Sequence, residues 1–208
     1  MSYFDTLKWG ADKMGISLSD QTIEQLVQYL GMLQKWNKAY NLTAIRDADK
    51  MVSLHLLDSL ATIPFITGQK IIDVGTGPGL PGMVLAICLP DREFTLLDSN
   101  GKKTRFLTQV KMEMGLKNVT VANERVETHA HQGAYDHVTS RAFASLEDMI
   151  NWCLPLPAAN GNFLAMKGVY PEDELVNLPD SVSVQTIQPL SVPTIDAERH
   201  MVIMTRKG

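Results

Sequence analysis

Three glycines on alternate positions, Gly75, Gly77 and Gly79, follow the apolar run Ile71-Ile72-Asp73-Val74 in the stretch KIIDVGTGPGLPG, 70–82. An apolar run bounded by glycines reads as a buried strand ending in a tight loop. Pro81 to Cys88 then reads as a helix, with its proline near the start, where a missing N–H is harmless. Glycine lets backbone come close to a ligand, and the helix start offers unpaired N–H groups to it. Two ligand classes compete for such a loop. A dinucleotide site wants its third glycine where Leu80 stands. The observed G-x-G-x-G, with Asp73 two positions ahead, suits a nucleoside with a small cationic tail better. A carboxylate at the strand end repels a pyrophosphate and attracts an ammonium group; S-adenosylmethionine has an ammonium and a sulfonium and no phosphate. Asp98 closes the next apolar run, Phe94 to Leu97, 21 positions beyond Gly77, where an acid can take both hydroxyls of a ribose. The bland alternative is a plain strand-to-helix turn; Asp73 and Asp98 together favour a nucleoside-cofactor site.

The elements around this loop follow from periodicity. Residues 1–66 read as a helical extension packed on the body, and 67–208 as one α/β domain. Ser19 or Asp20 can cap a helix whose apolar positions Ile23, Leu26, Val27, Leu30, Leu33 and Trp36 keep the 3.6 period. A second helix is expected from Asp49 to Ile63, stopped by Pro64. From Lys70 onward, strands at 70–74, 93–98, 119–122, 137–140 and 163–166 alternate with helices, including 101–114 and 146–153. That alternation means a parallel sheet covered on both faces. Val182–Ile187 and His200–Thr205 lack a full helix between them and read as an antiparallel pair at one sheet edge. Ligands of open α/β sheets bind beyond the carboxyl ends of the strands. Gly75, Asp98, the loop after Ala122, and Ser140-Arg141 all fall there.

With 208 residues, 45% apolar and 20% charged, the chain can bury an ample core. No stretch is long and apolar enough to span a bilayer and the start lacks a secretory pattern, so a cytoplasmic location is expected. Cys88 and Cys153 read as buried free thiols. The five histidines form no ligand set, and His129-Ala-His131 reads as a solvated loop; no metal is expected. A net charge of −4 argues against a nonspecific nucleic-acid binder, although a local basic surface is compatible with it.

The chain as a whole resembles the bacterial small-subunit ribosomal RNA guanine-N7 methyltransferases, once called glucose-inhibited division protein B. The landmarks are WNKAYNLT (36–43), HLLDSL (55–60), IDVGTGPGLPG (72–82), LLDS (96–99), RVE (125–127), SRAFASL (140–146), MKG (166–168) and ERH (198–200). The resemblance implies a class I S-adenosylmethionine-dependent, Rossmann-like methyltransferase fold. Its strand order is 3-2-1-4-5-7-6, with strand 7 antiparallel. It also implies S-adenosylmethionine as donor and N7 of one guanine in the decoding region of 16S ribosomal RNA as acceptor. By the same resemblance, Gly75, Leu80, Asp98, Val126, Glu127 and Arg141 are expected at the cofactor. The partner is then the RNA within the small ribosomal subunit or an assembly intermediate; a monomer is expected because no strong apolar surface stripe is left over.

Methyl transfer to N7 needs no general base, because that nitrogen carries a lone pair and no proton. A site without a catalytic dyad is therefore expected, and the sequence has neither a Pro-Cys nucleophile nor an Asp/Asn-Pro-Pro-Tyr/Phe clamp. Arg125, Arg141, Lys167 and Arg199 are candidates for the RNA, acting on O6 or the backbone, since a bond to N7 would block methylation. Lys102, Lys103, Arg105 and Lys111 form a second basic cluster, read equally well as a solvated helix face. Asn41 and His55 are candidates for a guanine pocket closed by the extension, against turn capping and ordinary packing. Trp36 reads as core, and Tyr40 is free to stack on a base. A nicotinamide-dependent oxidoreductase and a noncatalytic RNA-binding module are the alternatives.

Overall fold

Ser2 and Ser19 start the first two helices of the computed structural model, which describes residues 1–208. Ser2 and Asp5 form a reciprocal capping box on α1 (Tyr3–Lys13). The Ser19 hydroxyl accepts from the Thr22 N–H at 3.1 Å and opens α2 (Asp20–Tyr40). Ile23, Leu26, Leu30 and Leu33 form its buried stripe, while Trp36 is half-buried. Asn41 ends α2 in the left-handed region, φ 50°, a conformation that asparagine tolerates better than most residues.

The single helix expected over 49–63 forms as one unbroken run over 48–60, but with a widened turn in its middle. The chain makes α3 (Ala48–Met51), a π-helical segment over Val52–Leu57, and α4 (Asp58–Leu60). Pro64 lies inside a 3-10 turn, Ile63–Phe65, rather than stopping the helix. The physical reason for the widened turn is visible at its centre. The Arg141 guanidinium donates to the Leu54 carbonyl at 3.2 Å and so takes an acceptor of the helical ladder.

Seven strands follow: β1 (Lys70–Val74), β2 (Glu93–Leu97), β3 (Val119–Ala122), β4 (Tyr135–Ser140), β5 (Pro157–Lys167), β6 (Val182–Pro189) and β7 (His200–Arg206). Their order is β3-β2-β1-β4-β5-β7-β6. The first five run parallel, and β7 lies antiparallel between β5 and β6. This is the class I order that the resemblance implies. The helices between are α5 (Gly82–Cys88), α6 (Gly101–Glu113), α7 (Leu146–Cys153) and a short α8 (Glu172–Val176), the last not foreseen from the sequence.

Period-two alternation sends neighbours to opposite faces. Ile71, Leu96, Leu164 and Met201 join a core shared with α1, α2, α5 and α6. Ile72, Leu97, Phe163 and Val202 join a second core under α7. Leu7, Ile23, Leu26 and Leu33 of the N-terminal helices belong to the first core, so those helices cover one sheet face directly. No helix is long and apolar enough to cross a membrane.

Candidate active site

The glycine loop between β1 and α5 is held from four sides. The Gly75 and Thr76 N–H groups donate to the Leu97 carbonyl at 2.9 and 3.0 Å. The Asp98 carboxylate accepts from the Gly77 N–H at 2.8 Å and from Asn100 at 2.8 Å. From inside, Asp73 Oδ2 accepts from the Thr76 hydroxyl at 2.7 Å and from the Gly82 N–H at 2.8 Å. From α2, the buried Tyr29 hydroxyl donates to the Pro78 carbonyl at 2.8 Å. Backbone donors and acceptors of the loop are thus largely satisfied by the protein, which fixes the loop's shape in advance.

Beside this loop opens a cleft of about 440 Å³, beyond the carboxyl ends of the strands, a size typical of small-molecule sites. Val74, Gly75, Leu97 and Asp98 form its floor. Glu124, Arg125, Val126 and Glu127 form one wall, built on a 3-10 turn over Val126–Thr128. Ala142, Phe143 and Trp152 form the other, and Lys103 reaches it from α6. Gly75 has φ +68°, and a Cβ there would stand 2.7 Å from the Ala142 Cβ, so only glycine keeps the two walls at this spacing. Three carboxylates against two cations make a seat for a hydroxyl-bearing, cationic ligand and a poor one for pyrophosphate.

Five sequence-stated residues meet here: Gly75, Asp98, Val126, Glu127 and, from the RNA set, Arg125. Others lie elsewhere. Asp73 is 1% exposed and serves as the staple of the loop, which corrects the direct ammonium contact expected of it. Burial pushes its carboxyl up to about 7, against the pull of the Thr76 and Gly82 hydrogen bonds. Leu80 is buried in the core, and Gly79 packs on Met83 and Leu107 rather than lining the cleft. Gly77 touches the site through its bond to Asp98.

Arg141 turns toward the extension. It donates to Asp58 Oδ2 at 3.0 Å and contacts His55 Nδ1 at 3.3 Å. His55 Nδ1 therefore accepts, and Nε2 donates to the Thr43 hydroxyl at 2.9 Å. Burial first, and the Arg141 charge second, depress this imidazole to about 4, so it is neutral at ordinary pH. Arg199 Nε takes the other oxygen, Asp58 Oδ1, at 2.9 Å. His55 thus belongs to a network at the end of β4, whereas Asn41 is exposed and bonds Arg46 on the outside of the extension. Lys167 pairs with Glu174 at 2.9 Å and donates to the Ala144 carbonyl at 3.3 Å.

The reading of His129 as solvated is corrected. It is 5% exposed, with Nδ1 on Glu124 at 2.7 Å and Nε2 on the Tyr135 hydroxyl at 2.7 Å, and so braces the wall that carries Glu124. Trp152, Phe143 and Glu124 escaped sequence reasoning, and Lys103 is expected from the sequence only as part of a basic helix face. A signal existed for Trp152, which falls off the buried Leu146, Met149, Ile150, Cys153 stripe of α7.

The fold is close to that of a solved S-adenosylmethionine-dependent methyltransferase from Aquifex aeolicus, with a TM-score of 0.60 over 76% of this chain and 93% of that one, at 14% identity. Sequence similarity is far stronger. The chain is 72% identical over its full length, and that of the relative, to the ribosomal RNA small subunit methyltransferase G of Marinomonas sp. (strain MWYL1). It is 54% identical to that of Salmonella arizonae, over 93% of each chain. The family model described as rRNA small subunit methyltransferase G matches residues 22–202, a span that takes in the glycine loop, the cleft and the Asp58 network. By sequence along nearly its whole length, the chain belongs to the rRNA small subunit methyltransferase G family.

Proposed function

We propose that this protein transfers a methyl group from S-adenosylmethionine to N7 of one guanine in the decoding region of 16S ribosomal RNA. The observation that carries the reading is the cleft itself, pre-shaped at the carboxyl strand ends, rich in carboxylates and without a phosphate seat. The donor, when bound, supplies an activated methyl on a sulfonium. This chain's residues then have three tasks. Gly75 lets the ligand lie close to the backbone. Asp98 keeps lone pairs for the ribose hydroxyls while its carboxylate holds the loop. Val126 and Glu127 receive the adenine, beside Phe143 and Trp152.

The acceptor nitrogen needs no proton removed, so the protein's contribution is alignment and exclusion of water. Arg141 acts at one remove, holding the end of β4 against the extension through Asp58 and His55. Arg125, at the rim of the cleft, Lys167 and Arg199 are assigned to the RNA, with Lys102, Arg105 and Lys111 of α6 as an outer basic face and Lys103 between that face and the cleft. We treat the helices of 1–66 and the α/β body of 67–208 as one working unit. The substrate is the RNA folded within the small subunit or an assembly intermediate, met in the cytoplasm by a monomer.

Radiolabelled methyl transfer to small subunits from a strain lacking the enzyme tests this directly. Label at one guanine in the decoding region, located by aniline cleavage after mild reduction, is the expected result. Binding of S-adenosylhomocysteine without transfer to subunits would discard the acceptor.

A further inference from the structure

Tyr170 is 50% exposed and Val169 is 72% exposed, just beyond the carboxyl end of β5. The Tyr170 ring meets the His200 imidazole edge-on, with centroids 5.7 Å apart and planes at 87°. His200 is itself fixed. Its Nδ1–H donates to the Gly168 carbonyl at 2.7 Å, and it pairs across the sheet with Lys167. An exposed aromatic whose neighbour is locked in place is a preformed flat surface, and nothing in the core requires it.

Its position in the fold gives it a direction. The segment between β4 and α7 separates it from the cofactor cleft: Ala142 and Phe143 face the cleft, while the Ala144 carbonyl takes Lys167 on the other side. A nucleoside seated in the cleft covers the ends of β1, β2 and β3, which leaves the β4–β5 side for the acceptor to enter. Arg199, next to His200, marks the same side through its bond to Asp58.

We propose that Tyr170, backed by His200, is a stacking platform for an unpaired base of the RNA close to the methylated guanine. This inference rests on the reading of the substrate as RNA given above. A base face is favoured over a phosphate seat by the local charge. Glu172 and Asp173 open α8 two and three positions on, and Glu174 already engages Lys167 and the Leu146 N–H. Phosphates are repelled there, whereas every base offers a π-face, and proteins read unpaired RNA by such stacking.

The test compares wild type, Tyr170→Ala, Tyr170→Phe and Tyr170→Trp. The measured quantity is Kd for small subunits from a strain lacking the enzyme, with S-adenosylhomocysteine present and at several salt concentrations. Tyr170→Ala is expected to weaken binding about tenfold, with the slope of log affinity against log salt unchanged, since no phosphate contact is lost. Phe and Trp should keep wild-type affinity. Unchanged Kd for Tyr170→Ala, equal loss in Tyr170→Phe, or a reduced salt slope would each overturn the platform. A photoreactive benzoylphenylalanine at position 170 should label RNA; label on a ribosomal protein instead would also overturn it. Because binding is read without turnover, a failure of methyl transfer would strike the proposed reaction and leave this result standing on its own.

Discussion

Arg141, at the end of β4, meets the Asp58 carboxylate of the N-terminal helices at 3.0 Å across 83 positions of sequence. Asp58 is 4% exposed and is shared with Arg199. Three segments far apart in the chain therefore converge on one carboxylate at the edge of the site. Asp58→Ala leaves two guanidinium groups without their partner, both about one-fifth exposed. Removing one side of a buried ion pair is strongly destabilising, and the partial exposure of the arginines moderates it. The expected loss is about 2–3 kcal/mol, read as a lower urea midpoint with an unchanged m-value.

Gly75→Ala and Gly133→Ala separate backbone strain from cleft geometry. Both glycines have positive φ, +68° and +66°, but only at Gly75 would a Cβ meet a neighbour, Ala142. Each substitution is expected to cost about 1 kcal/mol of stability from the left-handed backbone. Calorimetric titration with S-adenosylhomocysteine should show at least about a tenfold loss of affinity for Gly75→Ala, and none for Gly133→Ala.

Asp73 and His55 pull the pH dependence of stability in opposite directions. Asp73 is raised from 3.8 to about 7, so the folded state keeps its proton over that window. Its contribution is full below 3.8 and is lost as pH rises through about 7. His55 is lowered from 6.5 to about 4, so its contribution is present above 6.5 and is lost as pH falls through about 4. Between these limits the two slopes offset each other in the wild type. Asp73→Asn should leave stability rising with pH, and His55→Gln should leave it falling. Urea unfolding at a series of pH values distinguishes the signs.

Tyr135→Phe removes the hydroxyl that satisfies buried His129. An orphaned buried nitrogen costs about 1–2 kcal/mol. Because His129 also holds Glu124 on the cleft wall, the variant should bind S-adenosylhomocysteine more weakly as well as unfold earlier. A Tm scan with and without the ligand measures both.

Much of the frame was legible because backbone rules are strict. Alternate glycines after an apolar run have few other uses, and βα alternation forces a parallel sheet. The acid Asp98 lies on the cleft because the end of β2 can point nowhere else. Asp73 was legible as an important residue but not in its role. Residue type carries no information on whether a carboxylate faces a ligand or its own loop. The brace of Glu124, His129 and Tyr135 depends on how an irregular segment folds back, which no periodicity encodes. Asn37 is a similar case: it is buried, accepts from the Thr43 N–H at 2.8 Å and donates to the Ile45 carbonyl at 3.2 Å, so part of the WNKAYNLT landmark is there to shape a turn. The π-helical segment was invisible for another reason. Met51, Val52, Leu56, Leu57 and Leu60 satisfy the α-helical period as well as they satisfy the wider one.

That wider turn constrains how the family can change by insertion and deletion. A π segment holds one residue more than the α-helix it interrupts. Loss of any single codon within 52–57 would relax it to a regular helix, which in isolation is the more comfortable state. Because the widened turn already accommodates the extra residue locally, the helix on either side would keep its phase, and only the turn itself would close. The loss would fall on the turn alone: the Leu54 carbonyl would return to the helical ladder, and it and His55 would leave Arg141. The extra residue thus serves the meeting with Arg141 and not the core, and a lineage that shed it should keep the flanking helix while losing that meeting.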